Sequence, residues 1–309
     1  MTSTNAQSAK LTLGPLLFNW PVDKRRDFYY KIADEADYDT VMLGEVVCSK
    51  RAPFLNTLWP DIIERLQAAG KEVVFSTQAL LLSSREMNAM RELVSDEDMY
   101  FEANDISIAT MLKGRRHMIG PMMNVYNEGT LETLAKGGAD RICLPVEMSG
   151  TATGILAATG IMDIETHVFG RMPLAIAARC YHARAHNLAK DSCQYVCDKD
   201  PDGMAVDTLD GDPFLSVNGT QTMSYTVCNL AAEIPKLMEV GVSRFRLSPH
   251  DINMVKLAEM FRGVVNGTTD PKEVLDATDG IIDGAPNSNG FFYDEEGLKY
   301  KSPEIIGVN

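Results

Sequence analysis

Short apolar runs rich in β-branched residues alternate with segments of helical period along almost the whole chain, and this alternation limits the fold more than any other feature. The first run is LTLGPLLFNW (11–20), followed by a helix over VDKRRDFYYKIADEADY; DTVMLGEVVC (39–48) is followed by a helix through TLWPDIIERLQAAG. KEVVFSTQALL, MYFEAND, RHMIGPMMNVYN, DRICLPVEMS, ETHVFGRMPLAIAARC and VSRFRLSPHD continue the strand series, with a helical segment after each. Strands recurring at roughly 25–35 residues with helices between them are what βαβ units require. About eight such units fit, so the expected fold is α/β, a (β/α)8 barrel of the TIM type. A doubly wound open sheet is the second choice, and no G-x-G-x-x-G turn supports dinucleotide binding.

The expected organisation is a disordered N-terminus over residues 1–10, a barrel domain over 11–265 and an irregular tail over 266–309 packed on the barrel. Gly, Asn, Asp and Pro crowd the tail in NGTTDPKEVLDATDGIIDGAPNSNG.

Barrel chemistry gathers where strands end. Those ends are polar here: Glu45, Gln78, Glu102 with Asn104, Asn124, Glu147 and Arg246. Polarity returns at any strand end as the chain meets solvent. Taken together, these carboxylates, amides and one arginine predict a pocket for a polar, carboxylated small molecule, with Glu45, Gln78, Asn104, Asn124, Glu147 and Arg246 as its lining.

A net charge of −14, from 43 acidic against 29 basic residues, argues against nucleic acid, whose binding rests on Lys and Arg. The polar opening MTSTNAQSAK carries no secretory h-region, and no uncharged apolar run reaches membrane-spanning length. A cytoplasmic location follows as the expectation, and in that reducing compartment clustered cysteines read first as metal ligands or catalysts.

Three of the six cysteines and two of the five histidines crowd into ARCYHARAHNLAKDSCQYVC (178–197). Cys180, Cys193 and Cys197 sit on one excursion from a strand end, within a loop expected over 180–206, and can converge on a point. A tetrahedral or cubane site wants a fourth ligand from elsewhere. Cys143, inside an apolar strand, reads as a small buried hydrophobe. Cys48 ends the second strand on the face where the loop after Cys180 emerges, and fits best; Cys228 stays in reserve. Lys50 and Arg51 would favour thiolates there. His182 and His186, at i and i+4, are alternative ligands but read more readily as hydrogen-bonded bystanders. Spacing leaves zinc and an iron-sulfur cluster both open, with a tilt to the cluster because zinc favours two close cysteine pairs and only one is present.

Two motifs are decoys. DKDPDG (198–203) opens like a calcium loop, but Leu209 stands where a bidentate Glu is needed, so it reads as a turn. No G-x-S-x-G elbow or other hydrolase signature accompanies the serines and histidines.

GEVVCSKR, ETHVFGRMPLAIAARC, the Cys193/Cys197 pair followed by DKDPDG, NGTQTMS and RLSP together resemble the collagenase-like peptidase U family, within it the UbiV branch, from about Leu11 to Arg262. The resemblance implies a 4Fe-4S cluster on Cys48, Cys180, Cys193 and Cys197, and a heterodimer with a UbiU-like paralogue. It further implies a UbiT-like lipid-carrier protein and oxygen-independent hydroxylation of the aromatic ring of ubiquinone precursors. Prephenate is the oxygen donor implied, and the ring of polar strand ends is where such a dicarboxylate is expected. Many members of the wider family carry an earlier cysteine before the one matching Cys180; GRMPLAIAARC has none, which separates this chain from RNA-hydroxylating relatives and from the UbiU-like partner. The competing reading is a zinc-stapled barrel acting as a scaffold for a partner. Peptidase activity finds no nucleophile or hydrolytic metal site in the sequence.

Overall fold

The computed structural model describes residues 9–302. Eight parallel strands close on themselves: β1 (Lys10–Leu13), β2 (Thr40–Gly44), β3 (Glu72–Ser76), β4 (Phe101–Ala103), β5 (His117–Ile119), β6 (Ala139–Cys143), β7 (Asp163–Ile176) and, after the excursion β8 (Met204–Asp207), β9 (Pro213–Asn218) and β10 (Gln221–Asn229), β11 (Arg244–Leu247). β11 pairs in parallel with both β7 and β1, which closes the sheet into a (β/α)8 barrel. Each barrel strand coincides with one of the apolar runs read from the sequence.

Helices α1 (Val22–Glu35), α2 (Ala52–Leu55), α3 (Trp59–Ala68), α4 (Ser84–Leu93), α5 (Ile106–Met111), α6 (Glu128–Lys136), α7 (Gly150–Ala158), α8 (Tyr181–Ala185), α9 (Ile234–Glu239) and α10 (Met254–Val265) follow the strands, and α11 (Pro271–Thr278) lies in the tail. Local chemistry starts many of them. Ser83, Asp105, Asn127, Ser149 and Asn253 each accept a hydrogen bond from a backbone N–H of the first turn of α4, α5, α6, α7 and α10. At α4 the cap is reciprocal, since Glu86 accepts back from Ser83 Oγ and from the Leu82 amide. Outward-facing residues such as Leu11, Val41, Leu43, Phe75 and Phe101 join the helices in one continuous core.

Inside the barrel the filling is mixed. Met42, Val74, Met118 and Cys143 form a separate apolar cluster, Cys143 being fully buried as expected of a small hydrophobe. Ionic sets lie beside it. Arg141 holds Glu72 with two hydrogen bonds (2.8 and 3.0 Å) near the strand starts, and Arg246 lies between Glu102 and Glu165.

Two regions depart from the sequence expectation. Residues 204–229 form an antiparallel β8–β9–β10 sheet that extends the long second half of β7 beyond the barrel. The tail is not irregular throughout: Asp270 caps α11 with Pro271 in its first turn, and β12 (Asn287–Ser288) pairs with β10. The tail is held to the barrel by Asn229–Thr278 and Glu233–Asn289 hydrogen bonds. The loose terminus expected over 1–10 falls on residues 1–8, outside the described residues, together with Ala9 and Lys10, which are placed; Lys10 opens β1.

Candidate metal centre

Cys48 lies just past the C-terminal end of β2, where Glu45 folds the chain back by accepting from the Val47 and Cys48 amides (3.1 and 3.0 Å). Cys180 follows the β7 overhang as the cap of α8, its sulfur accepting from the Ala183 amide at 3.4 Å. Cys193 and Cys197 come from two short 3₁₀ turns beyond α8, with Gln194 and Tyr195 between them at positive φ (51° and 54°). Two consecutive left-handed residues without glycine cost on the order of 1–2 kcal/mol each, and they reverse the chain so that both cysteines face inward. Tyr195 is seated edge-on against Phe54, 5.1 Å between centroids.

All four cysteines line one cavity, with Arg51, His182 and Gly219 beside them. Cys228 lines a different pocket with Leu144 and Phe292, and Cys143 is sealed in the barrel, so neither shares the site. All six cysteines are free thiols. Burial pushes the Cys48 and Cys180 thiols above their ordinary values; Arg51 partly offsets this at both, and the Ala183 amide does so at Cys180.

Arg51 is the cation of this site. It is 2% exposed, and Nη2 approaches Cys197 Sγ at 3.4 Å and Asn218 Oδ1 at 3.1 Å, while Nη1 donates to the Leu17 carbonyl. Burial works against its charge, but Glu45 and the Cys197 and Cys48 thiols outweigh that and hold the guanidinium above its ordinary value. Its nearest carboxylate oxygen, on Glu45, is 3.7 Å away. The β9–β10 hairpin shapes the seat. Asn218 orients the guanidinium, Thr220 Oγ1 donates to the Val47 carbonyl, and a Cβ on Gly219 (φ +62°) would stand 2.9 Å from Arg51 Nη2. Lys50 turns outward to the Lys190 carbonyl (2.6 Å) and Asp191.

Four thiols around one cavity are a donor set that a zinc ion or an iron-sulfur cluster accepts. Among the described residues, no three cysteine sulfurs lie within 4.8 Å of one another, whereas a bound zinc with Zn–S of about 2.3 Å would draw tetrahedral sulfurs to roughly 3.8 Å. Among the described residues, the group that meets the 4.8 Å separation is His182, His186 and Asp200. His182 is nonetheless committed elsewhere. Its Nδ1 accepts from the Gly219 amide (3.4 Å), so Nε2 carries the proton and donates it to Asp200 (2.7 Å). Burial holds this imidazole below its ordinary pKa, and it serves as a wall of the cysteine cavity.

DKDPDG is a turn with two anchors. Asp200 takes His182, and Asp202 takes His250 Nδ1 at 2.8 Å, pinning the cysteine loop to the barrel rim. These roles are invisible in the motif itself, because both partners are distant in sequence. The same contacts bear on hydrolysis. His250 Nε2 already accepts the Arg171 amide (3.1 Å), and Ser248 reaches His167 instead, at 3.5 Å. The acid therefore serves one histidine and the serine another, so these four residues form no Ser-His-Asp relay.

The six residues expected to line one polar pocket divide among three places. Asn104 and Arg246 belong to the barrel axis. There Arg246 Nη2 meets Glu102 at 2.6 Å and its Nε meets Glu165 at 2.5 Å, while Asn104 Nδ2 donates to the Thr77 carbonyl and to Glu102. Arg246 is thus paired with two carboxylates from β4 and β7, which takes away the cation on which the dicarboxylate expectation leaned. Asn124 and Glu147 are exposed beside the β7 overhang, joined through the Tyr126 hydroxyl. Glu45 and Gln78 are buried and line a groove between α3 and α4.

Residues 24–296 match the family model described as peptidase family U32. The chain belongs to peptidase family U32. A solved U32 peptidase aligns with this U32 chain at 13% identity and a TM-score of 0.45, covering 81% of it and 96% of that structure. Dihydropteroate synthase from Thermus thermophilus aligns at 11% identity and 0.44, covering 85% and 95%. The enzyme of the same name from Anaplasma phagocytophilum aligns at 10% and 0.45, covering 84% and 99%. Among the described residues, no helix is long and apolar enough to cross a membrane.

Proposed function

We propose that this U32 chain is the iron-sulfur subunit of an oxygen-independent hydroxylase acting on the aromatic rings of ubiquinone precursors, in the cytoplasm and paired with a UbiU-like paralogue. The observation that carries the reading is the convergence of Cys48, Cys180, Cys193 and Cys197 on one cavity with a buried arginine. The finer assignment to the UbiV branch, to the UbiT-like carrier and to a quinone precursor rests on the motifs GEVVCSKR, ARC, C-x3-C and NGTQ.

A 4Fe-4S cluster, when bound, would supply one-electron chemistry. Cys48, Cys180, Cys193 and Cys197 would hold it, releasing their thiol protons as they bind. Arg51 compensates negative charge on the Cys197 side, and Asn218 and the Leu17 carbonyl keep its guanidinium from turning away. Four protein thiolates leave no position open for substrate, so electron transfer or structural support suits the site better than direct attack on a ring.

Deletion of the chain is expected to abolish ring-hydroxylated quinone in cells grown without oxygen, and wild type but not Cys197→Ser restores it. Full restoration by Cys197→Ser would favour a scaffold without redox chemistry.

A further inference from the structure

Cys48 reaches the cysteine cavity through a tight turn whose backbone groups are matched one by one. Gly44 ends β2 at φ +104°, where a Cβ would stand 2.2 Å from the Ser76 carbonyl oxygen, so this step is open to glycine alone. The carbonyls of Val46 and Val47 accept from the Ala79 amide and the Thr220 hydroxyl, at 3.0 Å each, and that of Cys48 accepts from the Arg51 amide. The amides of Val47 and Cys48 both donate to Glu45 Oε1, and among the described residues neither has a second acceptor. Buried backbone donors are almost always satisfied, so the path of the chain into Cys48 depends on this one side chain.

Capping two amides does not require a charge. A glutamine oxygen would accept both without adding negative charge beside four thiols, yet a carboxylate stands here, 5% exposed and with no hydrogen-bond partner for Oε2 among the described residues. Its charge has a use on the other side. Arg51 Nη1 lies 3.7 Å from Oε1, and the fully buried Arg25 is attracted by Glu45 and repelled by Arg51. One carboxylate thus keeps two like charges in a common buried set. At Cys48, after burial, Arg51 favours the thiolate and Glu45 opposes it, so both charges are felt at the sulfur.

We infer that Glu45 is a positioning residue of the cysteine site: one oxygen fixes the Cys48 backbone, and the charge fixes Arg51 and moderates its pull on the thiols. The inference deepens the proposed function and rests on it for the group that is held. It assigns Glu45 to the thiols rather than to the polar pocket expected of the strand ends.

Hydrogen exchange over residues 46–51, followed by mass spectrometry in metal-free full-length protein, tests the hold on the backbone. Glu45→Gln keeps the acceptor and is expected to exchange like the wild type; Glu45→Ala is expected to exchange at least about ten-fold faster there, with the barrel strands unchanged. Mediated redox titration of cluster-loaded protein tests the charge. Glu45→Gln removes one negative charge while keeping the turn, and is expected to shift the midpoint potential upward, which a merely structural cap would not do. Glu45→Ala is expected to lose iron to a chelator at least about ten-fold faster than the wild type. Each comparison is repeated in an Arg25→Met background, where neither variant strands a second buried arginine, and the same differences are expected. Wild-type exchange in Glu45→Ala, or an unmoved potential in cluster-loaded Glu45→Gln, would overturn the inference. Wild-type protein that binds no cluster contradicts the proposed function instead, and the exchange result then decides the inference by itself.

Discussion

Arg246 and Arg51 are both buried arginines at the C-terminal end of the barrel, yet they serve opposite ends. Arg246 meets two carboxylates at 2.6 and 2.5 Å inside the barrel, and its environment is closed in charge as well as in space. Arg51 has one carboxylate at 3.7 Å, already occupied with backbone amides, and turns its remaining edge to a cysteine sulfur at 3.4 Å. A buried cation marks a binding site when its own fold leaves it short of negative charge. By that measure the barrel axis is structural, and the cysteine cavity, on the proposed function, would take an anionic guest.

The largest effect that could break this comparison is on stability. Arg246→Met leaves Glu102 and Glu165 buried without a cation, and denaturant titration should show a loss of about 3–5 kcal/mol, if the variant folds. Arg51→Met should cost distinctly less in metal-free protein but sharply lower the iron retained after gel filtration. Equal stability losses with unchanged iron in Arg51→Met would erase the distinction.

A second contrast concerns acids. Burial raises the pKa of Glu72, but Arg141 more than reverses this and brings it down to about 2. Glu233 lacks such a partner, and burial pushes it up to about 7 despite hydrogen bonds from Asn289 and Tyr293. The signs are opposite. Glu72 stabilises the fold above pH 4.5, and this contribution is lost as pH falls toward 2; Glu233 costs stability as pH rises from 4.5 through 7, where the unfolded chain ionises freely and the folded one resists. Glu233→Gln should therefore gain roughly 1–3 kcal/mol at about pH 8 and little at about pH 4.5, measured by denaturation at both. An equal gain at both values would contradict the burial argument.

The smallest expected effect is at the hairpin turn. Gly219→Ala should cost about 1 kcal/mol for its left-handed backbone, and the new Cβ should displace Arg51 from Cys197. Iron retention is the sharper readout, and it should fall even where the melting temperature hardly moves.

The barrel was legible because each strand carries its own apolar run and many helices their own cap, so the pattern survives one strand at a time. That Cys48, Cys180, Cys193 and Cys197 could reach one cavity was legible from spacing and strand-end position. The fate of Arg246 was not: its partners lie 144 and 81 positions away and meet it through barrel closure, so a saturated ion pair and an open anion site look alike in sequence. The β9–β10 hairpin had its signal in the Gly219-Thr220 turn between apolar runs, masked by the stronger strand-helix rhythm on either side. α11 likewise had Asp270-Pro271 as a start signal within a segment crowded with loop formers.

The central claim is that four cysteines, Cys48 among them and Cys228 not, hold an iron-sulfur cluster. Iron, acid-labile sulfide and zinc analysis of strictly anaerobic protein, with visible absorption, tests it most directly. Brown wild-type and Cys228→Ser protein with about four irons and four sulfides per chain, beside a Cys48→Ser variant that has lost them, is the predicted result. Colourless wild-type protein with stoichiometric zinc, or cluster loss in Cys228→Ser but not in Cys48→Ser, would contradict it.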